Sequence, residues 1–220
     1  MIIEESSLLL KSLPFLLQGA LVTLQIALVA IAVGLCGGVC FGILNCDKVH
    51  APFLKKGIHT FVWIIRGTPL FVQILIAYYA LPEVIGFSLS PFAAGVLALG
   101  VNSTAYISEI VRGGINAIAP GQWEAAYVLG LKPWKTLQGV ILPQMFRITL
   151  PSLTNELTTL IKETSILMMI GVAELTKVSR DIVTRELDPM TIYLAAAVLY
   201  LIMTSAGALL TQFAQKRFHT

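Results

Sequence analysis

The sequence predicts an all-α membrane protein of about five transmembrane helices, N-terminus outside and C-terminus inside. Three observations carry this. Of the 220 residues, 56% are hydrophobic and 12% charged, and the mean hydropathy is +0.83, too few polar side chains to solvate a soluble domain. The apolar residues fall into runs that match a hydrocarbon core, roughly 20 residues at 1.5 Å rise. Lysine and arginine concentrate in alternate connections, as expected of cytoplasmic loops.

The first run, Ser12 to Cys46, holds no charged residue. It is far longer than a signal-peptide core of ~7–15 residues, so no cleaved signal is expected after "MIIEESSLLLK", with its Glu4 and Glu5. Gly34, Gly38 and Gly42 recur every fourth residue and make a face that another helix can approach closely, whether from this chain or a second copy. Cys36, Cys40 and Cys46 leave an odd thiol however they pair, and read as small packing residues rather than as a disulfide, metal or redox set.

The second run, Ile58 to Leu81, contains "RGTPL". Gly67 lacks a Cβ and Pro69 a backbone donor, so a helix bends or begins there. An arginine at mid-bilayer costs roughly 2.5–3.5 kcal/mol; Arg66 either snorkels from the cytoplasmic end or acts as a charge inside a bundle or pathway. The third run is Phe87 to Ser108. The fourth, Leu150 to Ala173, carries Asn155, Glu156, Lys162, Glu163, Thr164 and Ser165, which must face helices, a water-filled cavity or one another. Lys162 and Glu163 project about 100° apart on a helix and do not pair naturally, which leaves an inter-helix ion pair and a pathway lining both open. Pro189 to Phe213 is the fifth run.

Lys48, Lys55 and Lys56 follow the first span, Arg112, Lys132, Lys135 and Arg147 the third, and Lys216 and Arg217 end the chain, so these belong inside. Lys11, Glu83 and the mixed-sign stretch from Glu174 to Asp188 belong outside. No basic cluster alternates with aromatics, which excludes a nucleic-acid surface. With no linker, low-complexity tract or internal repeat, residues 1–220 read as one membrane domain.

Between spans three and four lies a more polar island, "EAAYVLGLKPWKTLQGVILP", Glu124 to Pro143. Pro120 suits a first helical turn, Glu124 is favoured there by the helix dipole, Ala125, Ala126 and Leu129 make an apolar side, and Gly130 stops the helix. A second short helix begins at Pro133, with Trp134, Leu137, Val140 and Ile141 apolar, and closes at Pro143. Helices this short are marginal alone, so their apolar faces bury in a groove on a cytoplasmic partner or against the membrane domain itself.

These residues resemble the cytoplasmic EAA loop of binding-protein-dependent ABC importer permeases: Glu-Ala-Ala, a glycine four residues after the second alanine, and Leu-Pro further on. "RGTPL" with "YYALP", "AYISEIVRGGINAIAPGQWEAA" and "LPQMFRITLPSLTNELTTLIKETSILMMIGVAEL" are similar to the polar amino acid permease family of the histidine, glutamine, glutamate and arginine type. The likeness runs from Gly19 to the final helix. It implies a type I importer permease of the inner membrane, working with a second copy or a close relative and with an extracytoplasmic amino-acid-binding protein. ATP-binding subunits, holding the ATP and Mg, would dock on a loop spanning residues 113–147. By the same resemblance Gln122, Glu124, Ala125, Ala126, Gly130, Leu142 and Pro143 belong to the coupling site. The sequence departs from the family in Ile107-Ser108, where alanine is more usual before Glu109, and in Glu163, where aspartate is commoner.

No G-x-x-x-x-G-K-[ST] phosphate loop occurs, so ATP binding by this chain is not expected. His50, His59 and His219 lack metal-ligand spacing, and no Ser/His/Asp or paired-carboxylate set gathers in one place; no metal, cofactor or catalytic chemistry is expected in this chain. A zwitterionic amino acid crossing the membrane needs donors for its carboxylate and acceptors for its ammonium. The candidates are Arg66, Thr68 and Gln73 on span two, Asn102 and Glu109 on span three, and Glu163, Thr164 and Ser165 on span four. Two other classes stay open. An ion-driven transporter would usually show inverted repeats or paired broken helices, which are not evident here. An intramembrane enzyme built on Glu109, Glu163 and Lys162 leaves the projecting helix pair without a role.

Overall fold

The computed structural model describes the backbone of residues 2–218 and the side chains of 8–209; the side chains of Glu4, Glu5, Lys216, Arg217 and His219 lie outside the described residues. Among those described, regular structure is helical throughout. Helix α1 (Ile2–Leu44) passes through Pro14 and takes in Lys11, so it begins before the apolar run does. After α2 (Pro52–Gly67) and α3 (Leu70–Leu75), a π-helical turn at Ile76–Ala80 leads into α4 (Leu81–Ile85). Helix α5 (Pro91–Asn116) starts on a Ser90 cap, whose Oγ accepts from the Ala93 amide at 3.2 Å.

The glycine face of α1 meets α5 of the same chain, and α5 is buried along most of its length. A Cβ on Gly38 would lie 2.6 Å from Ile107 Cβ, and one on Gly42 would lie 2.6 Å from Val111 Cβ and 2.8 Å from the Ser108 carbonyl. Backbones approach this closely only where side chains are missing. The cysteines correct the packing expectation in part. Cys46 is buried, but Cys36 and Cys40 are exposed, because each falls two residues from a seam glycine and so on the far side of the helix.

Helices α6 (Pro120–Val128) and α7 (Pro133–Thr136) form the island. Contrary to expectation, Pro143 does not close the second of them. A π turn at Leu137–Ile141 runs directly into α8 (Leu142–Glu163), so the chain is helical without a break from Pro133 to Glu163. The same device appears twice. Each π turn is followed by Leu-Pro, and the residue four before each proline, Tyr78 or Gly139, is the middle of its turn. A proline ring clashes with that carbonyl and offers no N–H to it; widening the turn to i→i+5 bonding moves the carbonyl aside and lets the helix continue.

Span four also ends differently. The α-helix stops at Glu163, tightens to a 3₁₀ segment over Thr164–Ile170, and is turned by Gly171 at φ +87°. The mixed-sign stretch is helix α9 (Leu175–Glu186), followed by α10 (Pro189–Phe218). Three described helices are long and apolar enough to cross a membrane, Leu8–Leu44, Pro91–Asn116 and Pro189–Leu209, or four if the bent pair Pro52–Gly67 and Leu70–Ile85 counts as one span. The difference from five is α8, whose polar residues hold its hydropathy down.

Glu174, fully buried, caps α9: its carboxylate accepts from the amides of Thr176 (2.9 Å) and Lys177 (2.8 Å) and from the Tyr200 hydroxyl of α10 (2.8 Å). Thr23 of α1 accepts from the Leu175 amide at 3.2 Å. Helices α5 and α8 touch where Gly114 faces the buried Thr149, with no room for a Cβ.

Gly42→Ala drives a methyl into the α1–α5 seam and is expected to lower stability by about 1–3 kcal/mol. Gly57→Ala, with nothing within 4 Å of its Cβ, should raise stability by about 0.5–1 kcal/mol. Thermal unfolding in detergent separates the two signs. Glu174→Ala, which strips a cap and leaves Tyr200 without its carboxylate partner, should cost about 1–3 kcal/mol in the same measurement.

Candidate functional site

Two sets of sequence candidates come together where α2 crosses α5. The first set is an elbow. The helix axis turns by 104° across Thr68-Pro69, which leaves carbonyls of the last turn of α2 without helical partners. Side chains fill the gap. Thr68 Oγ1 donates to the Ile64 carbonyl (2.9 Å), and Gln73 Nε2 donates to the Ile65 carbonyl (2.7 Å), Thr68 Oγ1 (2.9 Å) and the Thr68 carbonyl (3.1 Å). Gln73 Oε1 accepts from Asn102 Nδ2 of α5 at 2.9 Å, so the cap is held from the neighbouring helix. Thr68, Gln73 and Asn102 thus form one hydrogen-bonded brace.

The second set lines an open cleft of about 370 Å³ between the same two helices, with His59, Val62, Trp63, Arg66, Gly67 and Glu109 on its walls. The Arg66 guanidinium lies over the Tyr106 ring, 5.1 Å from its centre, and has no ion pair among the described residues. Glu109 is taken by Arg112 in a two-pronged contact, Nη2 to Oε2 at 2.7 Å and Nε to Oε1 at 3.1 Å. The free charge of the cleft is therefore the Arg66 cation, suited to an anionic group.

The third set stays apart: no hydrogen bond or ion pair joins it to the elbow or cleft among the described residues. Thr164 is buried and donates to the Ile161 carbonyl (2.9 Å); Ser165 donates to the Lys162 carbonyl (2.7 Å). Both hydroxyls serve the change from α to 3₁₀ winding. Glu163 is half-buried and shares a helix face with Glu156, seven residues back, and neither has an ion pair among the described residues. Asn155 and Lys162, expected to face other helices, a water-filled cavity or one another, are exposed on this chain.

On the island, Gly130 (φ +70°) ends α6: its amide donates to the Tyr127 carbonyl (2.9 Å) and the Leu131 amide to the Ala126 carbonyl (3.0 Å), a Schellman pair. Most of the apolar side stands open on this chain rather than against the membrane domain. Only Ala126 is buried in α6, while Ala125 is exposed and Tyr127, Val128 and Leu129 are 84%, 83% and 76% exposed. Glu124 is exposed, and Gln122 accepts from Gln144 Nε2 of α8 at 3.2 Å. Leu142 is half-buried and Pro143 exposed, both inside the continuous Pro133–Glu163 helix. Sequence reasoning passed over Tyr106, Gln144 and the Glu174–Tyr200 cap. For Glu174 a signal existed, an acid just before a helical stretch; for Tyr106 and Gln144 the partner lies on another element and no local pattern shows it.

Compared with known proteins, residues 34–220 match the family described as "Binding-protein-dependent transport system inner membrane component". The glutamine transport system permease protein GlnP of Escherichia coli (strain K12) is 39% identical over 196 residues, covering 88% of each chain. The arginine transport system permease protein ArtQ of Bacillus subtilis (strain 168) is 40% identical over 165 residues, 75% of this chain and 74% of that one. A crystal structure of an amino acid ABC transporter with histidines superposes with a TM-score of 0.85 at 33% identity, covering 95% of this chain and 96% of that one.

Gln73→Leu removes the elbow cap and orphans Asn102; a stability loss of about 1–3 kcal/mol is expected, with faster proteolysis at residues 66–70 as the local readout.

Proposed function

This chain belongs to the family of binding-protein-dependent transport system inner membrane components, and we propose that it is the permease subunit of an ATP-driven importer carrying a polar amino acid across the inner membrane. It is a multi-pass inner-membrane protein. In this reading residues 1–220 are one permease domain, and separate subunits bind ATP and Mg and hydrolyse the ATP. An extracytoplasmic amino-acid-binding protein delivers cargo, and a second copy or close relative completes the pathway.

The observation that carries the reading is the end of α6. A sharply capped helix turn presents Tyr127, Val128 and Leu129 to the outside of the chain, a cluster of large apolar side chains with no lipid to meet if the island is cytoplasmic. An ATPase surface is the cover we assign to it, with Gln122, Glu124, Ala125, Ala126, Gly130, Leu142 and Pro143 as its contact region. Closure of the ATPases then displaces α6. Because the next helix runs unbroken from Pro133 to Glu163, that displacement reaches Glu163, Thr164 and Ser165. Arg66 receives the cargo's carboxylate beside Glu109, and Glu163 meets its ammonium at a separate point along the pathway; Thr68, Gln73 and Asn102 hold the wall on which Arg66 stands. The names of the relatives favour glutamine or arginine as the kind of cargo.

Purified in mild detergent from its native membrane, the tagged chain should bring down an ATPase with a phosphate loop, and Glu124→Arg should weaken or abolish that capture; recovery of no such ATPase by either protein would remove the basis of the reading. In uptake assays on the assembled complex, Arg66→Gln should lower transport about 10- to 100-fold, the worth of a charged hydrogen bond of about 1.5–3 kcal/mol. If Glu163→Gln leaves both rate and substrate preference unchanged, Glu163 has a structural role alone.

A further inference from the structure

We propose that the turn between α1 and α2 is a second transmission point for α6, with Lys48 and Trp123 as its positioning residues. The inference rests on α6 being the ATPase-docking helix. Helix α6 is held by few side chains: Ala126 is buried, Gln122 reaches Gln144 of α8, and Trp123 reaches the turn that follows α1. There the Lys48 ammonium sits 6.0 Å from the centre of the Trp123 ring, at the reach of a cation–π contact. Trp123 also packs against the apolar cluster that holds Cys46, Ile115 and Met145, which anchors the ring in the core.

The turn itself is tied in two directions. The Asp47 amide donates to Asn116 Oδ1 at the end of α5 (3.2 Å), and Lys55 Nζ, in the first turn of α2, donates to the Cys46 carbonyl at 2.7 Å. A shift of Trp123 therefore acts through Lys48 on a turn already clamped to the start of α2. Helix α2 then carries it to its far end, where Arg66 and the Thr68–Gln73 brace lie. It packs on α5 through Ile58 and Val62 against Ala105 and on α1 through Phe61 against Phe41. Through Gln122 and Gln144, α6 pushes the helix that ends at Glu163; through Trp123 and Lys48 it pushes the helix that ends at Arg66. The two routes address the two separate groups of cargo residues.

The test uses the complex isolated from its native membrane and placed in proteoliposomes, with uptake of labelled glutamine and arginine measured together with ATP hydrolysed. Lys48→Met, Trp123→Leu, the double variant and Lys48→Arg are compared with wild type, and capture of the ATPase is scored for each. The expected result is retained ATPase capture and hydrolysis, uptake per ATP lowered about two- to fivefold in either single variant, no further loss in the double, and recovery in Lys48→Arg. Unchanged uptake per ATP in Lys48→Met, multiplying effects in the double, or no recovery with arginine would overturn it. If wild type captures no ATPase, the docking reading itself fails and takes this inference with it.

Discussion

A backbone carbonyl opened inside a bilayer has no water to turn to, and each break in this fold is built around that constraint. At the elbow the loss of helical bonding before Pro69 is made good by the Thr68 hydroxyl and by a glutamine, Gln73, which reaches back across the break and is itself gripped by an asparagine on α5. At Pro82 the chain widens by about one residue per turn instead of breaking, a device used again at Pro143 on the island. At the end of α8 the winding tightens, and the hydroxyls of Thr164 and Ser165 take up the carbonyls that the change exposes. The polar residues that a hydropathy reading marks as unusual are, in good part, the groups that keep an irregular backbone satisfied within an apolar surrounding.

The α1–α5 seam is the frame on which those irregular elements hang. Its close approach leaves α5 surrounded, with Ser103, Thr104 and Ser108 buried beside Ile107 and Val111. Every other element of interest then finds its place from α5: the elbow through Asn102, the cleft through Tyr106 and Glu109, the long helix through Gly114 and Thr149.

Much of this was legible in the residues. Glycines at four-residue spacing announced a close helix contact, Gly67 and Pro69 announced a bend, and Gly130 announced the end of α6, since each is a property of one short stretch. The partner of the glycine face was not legible, because spacing constrains one helix and says nothing of its neighbour. Pro143 misled for a related reason. Proline forbids one hydrogen bond, but whether a helix stops or widens depends on whether packing on both sides rewards continuation, here Ile141 and Met145 in the core cluster that also holds Ile115. Among the site residues, Gln73 and Asn102 were recognisable as polar in apolar surroundings. That they bind each other across 29 positions was not. The apolar side of α6 was legible from helical periodicity, but what covers Leu129, open on this chain, was not.

The contact between Gly114 and Thr149 falls near the middle of the unbroken helix from Pro133 to Glu163, with about 24 Å of helix on one side and about 21 Å on the other. A rod tilted about its midpoint is a seesaw with nearly equal arms. Any tilt about that pivot carries its two ends in opposite directions by similar amounts, neither magnified nor diminished, so the distance travelled at the island sets the distance travelled at Glu163.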